Sequence, residues 1–387
     1  MHKKMLPDLH DTTLYKHAVD IKGMAFNHGN SLTNEFSRKF IFGGYIDESL
    51  ASREYANQTR YNRIGGDLGV QLSYRSGQTI SKKHPHLGWM LSAASNVHFS
   101  GEYADDQFGL VFLGNASFLG ESVSFSSLNG RFEQFLAVGG GLYNKKTKSF
   151  VSLNVVLPQQ FIQLEIDKGS IGFSDEAEQI DLMMKGEVLQ GNNSPYFKGL
   201  GAAINFDYNV PFGEPDGFSG VFSVKGRNIG GYQLNKAQVF KVDVDQSFNG
   251  FSVDELVEED RFSALKDSIN GTESEISSFR LLSGFLQAGK IVSVNSDKKI
   301  QSFFGIRMYT NTIFKPLVYA GAHYQPVEKV ALGAQGAFGG YGNFRLGFYA
   351  SYTNENLILS IGSEDILGLF LKSQKGHSGL IRLGWKI

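Results

Sequence analysis

Cysteine is absent from the 387 residues, which removes disulfides, thiolate nucleophiles and cysteine-based zinc sites together. The same absence suits a chain that crosses an oxidising compartment before folding. Long hydrophobic runs are missing too. No stretch approaches the roughly 18 uncharged apolar residues of a membrane-spanning helix, so a helical membrane protein is excluded. Neither sign of charge dominates: 37 Lys and Arg stand against 38 Asp and Glu, a formal net charge of −1. A broad basic surface is therefore not indicated, and no nucleic-acid partner is expected. Catalytic signatures are lacking as well. The chain holds no GxxxxGK phosphate loop, HExxH helix, DxDxDG calcium loop or GxSxG elbow.

What is present is a two-residue period. Ile381, Leu383, Trp385 and Ile387 alternate with Leu380, Arg382, Gly384 and Lys386, so the last segment is a strand with one apolar and one mostly polar face. Similar runs occur at Ile64–Arg75, Leu87–Phe99, Leu200–Val210 and Asn343–Tyr352. Each is about 10–12 residues long, the length a tilted strand needs to cross a bilayer. Glycine, at 46 of 387 residues, exceeds its usual share of about 7%, and aromatics make up 13%. Both suit a barrel, in which glycine lets strands bend and aromatic rings form girdles, here Tyr74, Tyr208, Tyr352 and Trp385.

The fold expected is all-β: a single antiparallel transmembrane β-barrel of about 14 strands, with about 12 or 16 as alternatives. Its candidate strands include 36–46, 63–76, 106–113, 148–158, 161–167, 218–230, 236–245, 280–295 and 377–387. Residues 1–35 show no sustained period and read as a periplasmic arm or plug-like segment, leaving 36–387 as the barrel. Met1–Thr13 has a basic start but no apolar core of about 7–15 residues. The numbering is therefore expected to describe a mature or recombinant chain without its signal peptide. Inverting the faces of a soluble all-β protein would leave the alternation unchanged; strand length favours lipid.

One helix is expected, in the long connection 246–279. Ser252 and Glu255 have capping-box spacing, Asp254 adds negative charge to the first turn, and Asn270-Gly271 supplies a stop. Leu256, Phe262, Leu265 and Ile269 share one face, a candidate surface for a partner. In the strands the polar faces would line the interior: Asp67, Gln71, Arg75, Asn96, His98, Asn205, Asp207, Arg307, Gln335, Arg345 and Arg382. Mixed-sign charge there makes either a hydrated conduit or a hydrogen-bonded filling. His84-Pro85-His86 reads as an exposed turn rather than a metal site, and Gly139-Gly140-Gly141 as a strand kink. His98 and His323 have no identifiable nucleophile.

Three regions carry a resemblance. Asn34-Glu35-Phe36 followed by Phe40-Ile41-Phe42-Gly43 resembles an Asn-Pro-Ala-Phe phrase leading into a first strand, with Asn34 and Phe36 matching. Gly226-Arg227-Asn228-Ile229-Gly230-Gly231-Tyr232 precedes Phe251–Leu256 and Leu265–Ser268, and a meander runs from about 280 to the end. In these respects the chain resembles a family of uncharacterised outer-membrane barrels from Bacteroidota. It is broadly similar to fatty-acid-transporter-like barrels and to the shuttle barrel of the type IX secretion system. The resemblance implies no catalytic residue.

The expected function is non-enzymatic: an integral barrel of the bacterial outer membrane, acting as a structural or accessory subunit of a secretion or assembly complex. Its partners would be membrane lipid and other envelope proteins, with no cofactor or metal. The alternative is a transporter for small apolar or amphipathic solutes.

Overall fold

Because successive side chains of a strand point to opposite faces, a sheet whose strands all alternate in phase acquires one apolar and one polar surface. Curling that sheet until its edges meet removes unpaired backbone from both. The computed structural model, which describes residues 9–126, 128–176, 178–192, 198–213, 219–249 and 272–387, has this form. Its strands are β1 (Leu9–His10), β2 (His17–Gly29), β3 (Asn62–Ser76), β4 (Leu87–Tyr103), β5 (Ser122–Ser124), β6 (Asn129–Asn144), β7 (Phe150–Phe173), β8 (Gln179–Gln190) and β9 (Gly199–Phe212). They continue with β10 (Gly220–Asn249), β11 (Thr272–Leu281), β12 (Phe285–Ser293), β13 (Ile300–Tyr309), β14 (Lys315–Val327), β15 (Val330–Gly340), β16 (Phe344–Thr353), β17 (Leu357–Ser363) and β18 (Gly376–Lys386). The helices used below are α1 (Asn34–Phe42), α2 (Glu48–Ala56), α3 (Asp105–Leu113) and α4 (Ile366–Phe370).

The barrel is closed, antiparallel and has 14 strand positions. Closure is made by β18 on β2, in register from Lys386 opposite Ala18 to Gly376 opposite His28. Two positions are each shared by a pair of strands. β8 and β9 both lie between β7 and one edge of β10, and β11 and β12 both lie along its other edge. Apolar residues face outward: Leu68, Val70 and Leu72 are exposed, whereas Asp67, Gly69 and Ser73 between them are buried.

The interior is not purely polar. Met24, Phe26, Phe285, Phe303, Phe314, Tyr341 and Tyr349 form one buried apolar cluster, drawing on strands from much of the circumference. The inner face therefore mixes large apolar and charged side chains, and this hides alternation where the mixture is densest. His17–Gly29 is the first barrel strand, so the N-terminal arm ends before residue 17 and not at 35. On β2 the inward residues run Ala18, Asp20, Lys22, Met24, Phe26, His28, with no consistent polarity.

Other expectations also change. The segment expected as a strand at 36–46 holds α1, capped by Thr33, whose side chain accepts from Phe36 N, and stopped by Gly43 at φ 77°. The segment at 106–113 lies in α3. Phe36, Leu50 and Phe108 bury one another, so α1, α2 and α3 form a small cap instead of adding to the wall. The segments 148–158 and 161–167 are one 24-residue strand, β7, and 218–230 with 236–245 are one 30-residue strand, β10. Gly139–Gly141 does not kink its strand. β6 pairs with β7 without interruption there, and a Cβ on Gly141 would stand 2.0 Å from the Val151 carbonyl, so the glycines permit close approach of the two backbones. The helix expected around Leu256, Phe262, Leu265 and Ile269 lies outside the described residues.

At about 3.3 Å per residue β10 extends roughly 100 Å, far beyond a bilayer core of about 30 Å. The parts of β7, β8, β10 and β11 above the other strands form a tall wall. Its surface is polar, with exposed cross-strand ion pairs Lys185–Asp243 and Lys241–Glu187. The upper end also carries α1 to α4, whereas short turns such as 145–149, 328–329 and 354–356 occupy the lower end. The arm crosses the lower mouth, where β1 pairs in parallel with Val292 and Ser293 of β12.

Candidate functional site: the barrel interior

Alternation delivers the polar residues inward, and closure then brings distant strands face to face. On the inner face, Asp67 on β3 meets His98 on β4, with Oδ1 2.7 Å from Nδ1. Tyr309 on β13 donates its hydroxyl to Asp67 Oδ2 at 2.5 Å. Tyr341 lies 3.0 Å from His98 Nε2. Both Asp67 oxygens and both His98 nitrogens are thus engaged, and the four side chains brace opposite walls. His98 is left with no ring nitrogen for proton transfer to a solute.

Beside this brace, Arg307 lies 3.0 Å from Glu364, and Arg345 3.6 Å from the other oxygen of the same carboxylate. Arg307 also donates to Gln287 Oε1 at 3.0 Å, and Gln287 in turn donates to the Tyr319 hydroxyl. His28 approaches Asp365 at 3.8 Å. Glu364 and Asp365 are supplied by the connection that leads into α4, which packs against β16 and β18. Charges buried this deeply persist only when paired, and here two arginines share one glutamate.

Under the tall wall, Glu133 on β6 pairs with Arg131 at 2.7 Å. Its other oxygen accepts from the backbone N–H of Ser283 at 2.7 Å. Ser283 lies in the break between β11 and β12, where the ladder cannot satisfy that donor. Near the lower end Asp207 accepts from Ser223 at 3.1 Å and lies 3.8 Å from Arg227. Asn205 accepts from the Asn228 N–H at 2.7 Å, at a bulge where Asn228 adopts φ 54°. Lower still, Asp20 holds Arg382 at 2.7 Å and Arg75 at 3.6 Å.

Of the polar residues expected inside, Asp67, Asn96, His98, Asn205, Asp207, Arg307, Gln335 and Arg345 are buried, and Gln71, Arg75 and Arg382 are half-buried. Asp67 joins His98, Arg307 joins Arg345 through Glu364, and Arg75 joins Arg382 through Asp20. Sequence reasoning missed Asp20, Glu133, Glu364, Asp365, Tyr309 and Tyr341, which complete the pairs. For Asp20, Glu133 and Tyr309 the signal was shared parity with inward neighbours on the same strand, whereas Glu364, Asp365 and Tyr341 lie in connections, where alternation gives none. Among the described residues no three His, Asp or Glu side chains cluster so as to hold a metal ion, and His84 and His86 are exposed in a turn.

No protein-family model matches the chain, and no curated protein does. Several solved barrels are similar in architecture. The translocator domain of autotransporter NalP from Neisseria meningitidis shares 10% identity, with 96% of this chain and 88% of that one covered and a TM-score of 0.29. The P. putida toluene transporter TodX shares 7% identity over 95% and 87%, with a TM-score of 0.35. The Ralstonia pickettii toluene transporter TbuX shares 8% over 97% and 90%, with a TM-score of 0.30. Nothing about the activity of this chain follows from likeness at that level.

Proposed function

We propose that this protein is an integral barrel of the bacterial outer membrane, a non-enzymatic structural or accessory subunit of an envelope complex. One observation carries the reading: the middle of the barrel is a packed core. The aromatic cluster and the Tyr309–Asp67–His98–Tyr341 brace fill the space that a conduit would need. An outer band of exposed apolar residues supports insertion in lipid, because a soluble barrel would bury that face. The tall polar wall gives the barrel a surface above the bilayer on which another envelope protein can dock. In planar bilayers the purified protein is expected to show no steady conductance, and mild detergent extraction to recover a stoichiometric partner. A barrel that purifies alone and conducts would overturn the proposal.

The transporter reading has one observation in its favour. An apolar groove of about 560 Å³ lies on the outside, lined by Leu68, Val70, Phe348, Ile361 and Ile381, and reaches Met24 and Leu380 of the inner face. Flux of a small apolar solute into liposomes, abolished by filling this groove through Gly23→Leu, would favour it.

A further inference from the structure

The lower mouth contains a feature that neither reading uses. Between the arm and the barrel floor lies a cavity of about 50 Å³, room for roughly four waters or one small oxyanion. Its lining includes the cations Lys22, Arg75, Lys148, Arg382 and Lys386 but only two carboxylates, Asp11 and Asp20. Asp20 is engaged by Arg382 and Arg75. Asp11 comes from the arm, not from the wall, and its carboxylate reaches Lys386 Nζ at 2.5 Å.

Further observations point the same way. Burial, reinforced by the charges of Arg75 and Lys386 and opposed by Asp11, lowers the Lys148 ammonium to about 8, as expected where positive charge is in excess. Asn209 Oδ1 is buried at the same cavity without a hydrogen-bond partner, an acceptor suited to the O–H of a protonated oxyanion. On the other side of His10 a second opening of about 370 Å³ is lined by Lys290 and Lys298, with no carboxylate among its described lining residues. Around the cavity the arm is tied to the floor on both sides: His10 donates to the Thr147 carbonyl at 2.9 Å and accepts from Val294 N at 3.1 Å, Asn295 donates to Thr12, and Lys148 donates to the Thr13 carbonyl at 2.8 Å.

We infer that the lower vestibule is a binding site for an oxyanion, the phosphate or carboxylate group of an external ligand, and that Asp11 occupies it as an internal competitor. When such a group enters, it takes the place of the Asp11 carboxylate beside Lys386 and Lys148, and Asp11 gives up its contact with the floor of the barrel. The inference is independent of whether the barrel is a scaffold or a transporter, because the site lies below the packed centre.

Calorimetric titration of the full chain in detergent, first with sodium phosphate and then with sodium acetate, tests it. Asp11→Asn removes the competitor and is expected to tighten phosphate binding about tenfold, the scale of one charge-assisted contact. Lys148→Asn, which tolerates the φ of 56° at that position, is expected to weaken binding by about fivefold or more. Binding of phosphate alone assigns a phosphate ligand, and binding of both anions assigns a general oxyanion site. Equal affinity in wild type and Asp11→Asn, or no binding by either at about 10 mM, a very weak affinity, would overturn it. Asp11→Ser provides the same comparison should the Asn variant fail to show the heat-shifted gel band of a folded barrel.

Discussion

Gly368 and Gly376 meet backbone to backbone: a methyl group added to Gly368 would stand 1.8 Å from the Gly376 carbonyl oxygen. The Asn34 amide donates to both carbonyls, at 2.9 and 3.0 Å. This contact seats α4 in the wall. β17 pairs with β18 only between Leu380 and Trp385, so the upper part of β18 has no strand on that side. α4 covers it, and Asp365, which accepts from Gly368 N at 3.0 Å, caps the helix.

Gly368→Val is therefore expected to unseat α4, at a cost of about 1–3 kcal/mol for overpacking a tight contact. The temperature at which the compact gel band is lost should fall by several degrees. An unchanged transition would show that the helix is not wedged in place.

The brace in the barrel centre predicts strong coupling. Tyr309→Phe withdraws a donor from the buried Asp67 carboxylate, and losing a hydrogen bond to a charged group costs about 1.5–3 kcal/mol. In a double-mutant cycle with Asp67→Asn, urea unfolding should reveal an interaction well above 0.5 kcal/mol, the level at which independent sites add. Simple additivity would mean the pair is not joined.

Orientation of the wall in lipid is open to a direct check. Leu68 is 56% exposed on the outer face near the middle of β3. Leu68→Arg should destabilise the vesicle-inserted barrel by about 2–4 kcal/mol, as a cation does at the bilayer midplane. A soluble barrel would accept that arginine with little change.

The Lys148 turn predicts a pH dependence. Burial lowers the Lys148 ammonium in the folded chain to about 8, from an ordinary value of 10.5. Between these values the unfolded chain binds more protons, so stability rises with pH across that window. Below pH 8 the buried charge, which faces Arg75, Lys386 and Asp11, is a full penalty. Lys148→Asn removes the titration. Its advantage over the wild type in urea unfolding should therefore be largest at pH 7 and shrink towards pH 10. A difference that does not vary with pH would count against the burial of that ammonium.

Much of the wall was legible because outward residues meet a uniform apolar surroundings. Leu200, Ala202, Ile204, Phe206, Tyr208 and Val210 occupy every second position, and all but the half-buried Phe206 are exposed. β2 was not legible, since its inner face alternates between ion pairs and packed apolar groups: Asp20 serves Arg382, while two residues on Lys22 gives way to Met24 and Phe26. The sequence of α1 resembles a strand for a related reason. Phe36, Phe40 and Phe42 have a strand-like spacing, but Thr33 caps a helix there and Phe36 packs into the cluster of α1 to α3. Asn34 and Phe36 stood out in the sequence, and the structure shows them anchoring α4 and the upper cap.

The sequence by itself determined the class of this protein. A period of two sustained over bilayer-length segments, without cysteine or a helical span, admits few folds other than a closed membrane barrel, because side-chain direction in a strand is a local property of the backbone. Which inward charges meet, that the centre is packed, that α4 completes the wall and that the arm crosses the floor were decided only by the tertiary structure. Those contacts join residues hundreds of positions apart, such as Asp67 with Tyr309 and Asn34 with Gly376, and their partners are fixed by the curvature and register of the closed sheet, which no local pattern encodes.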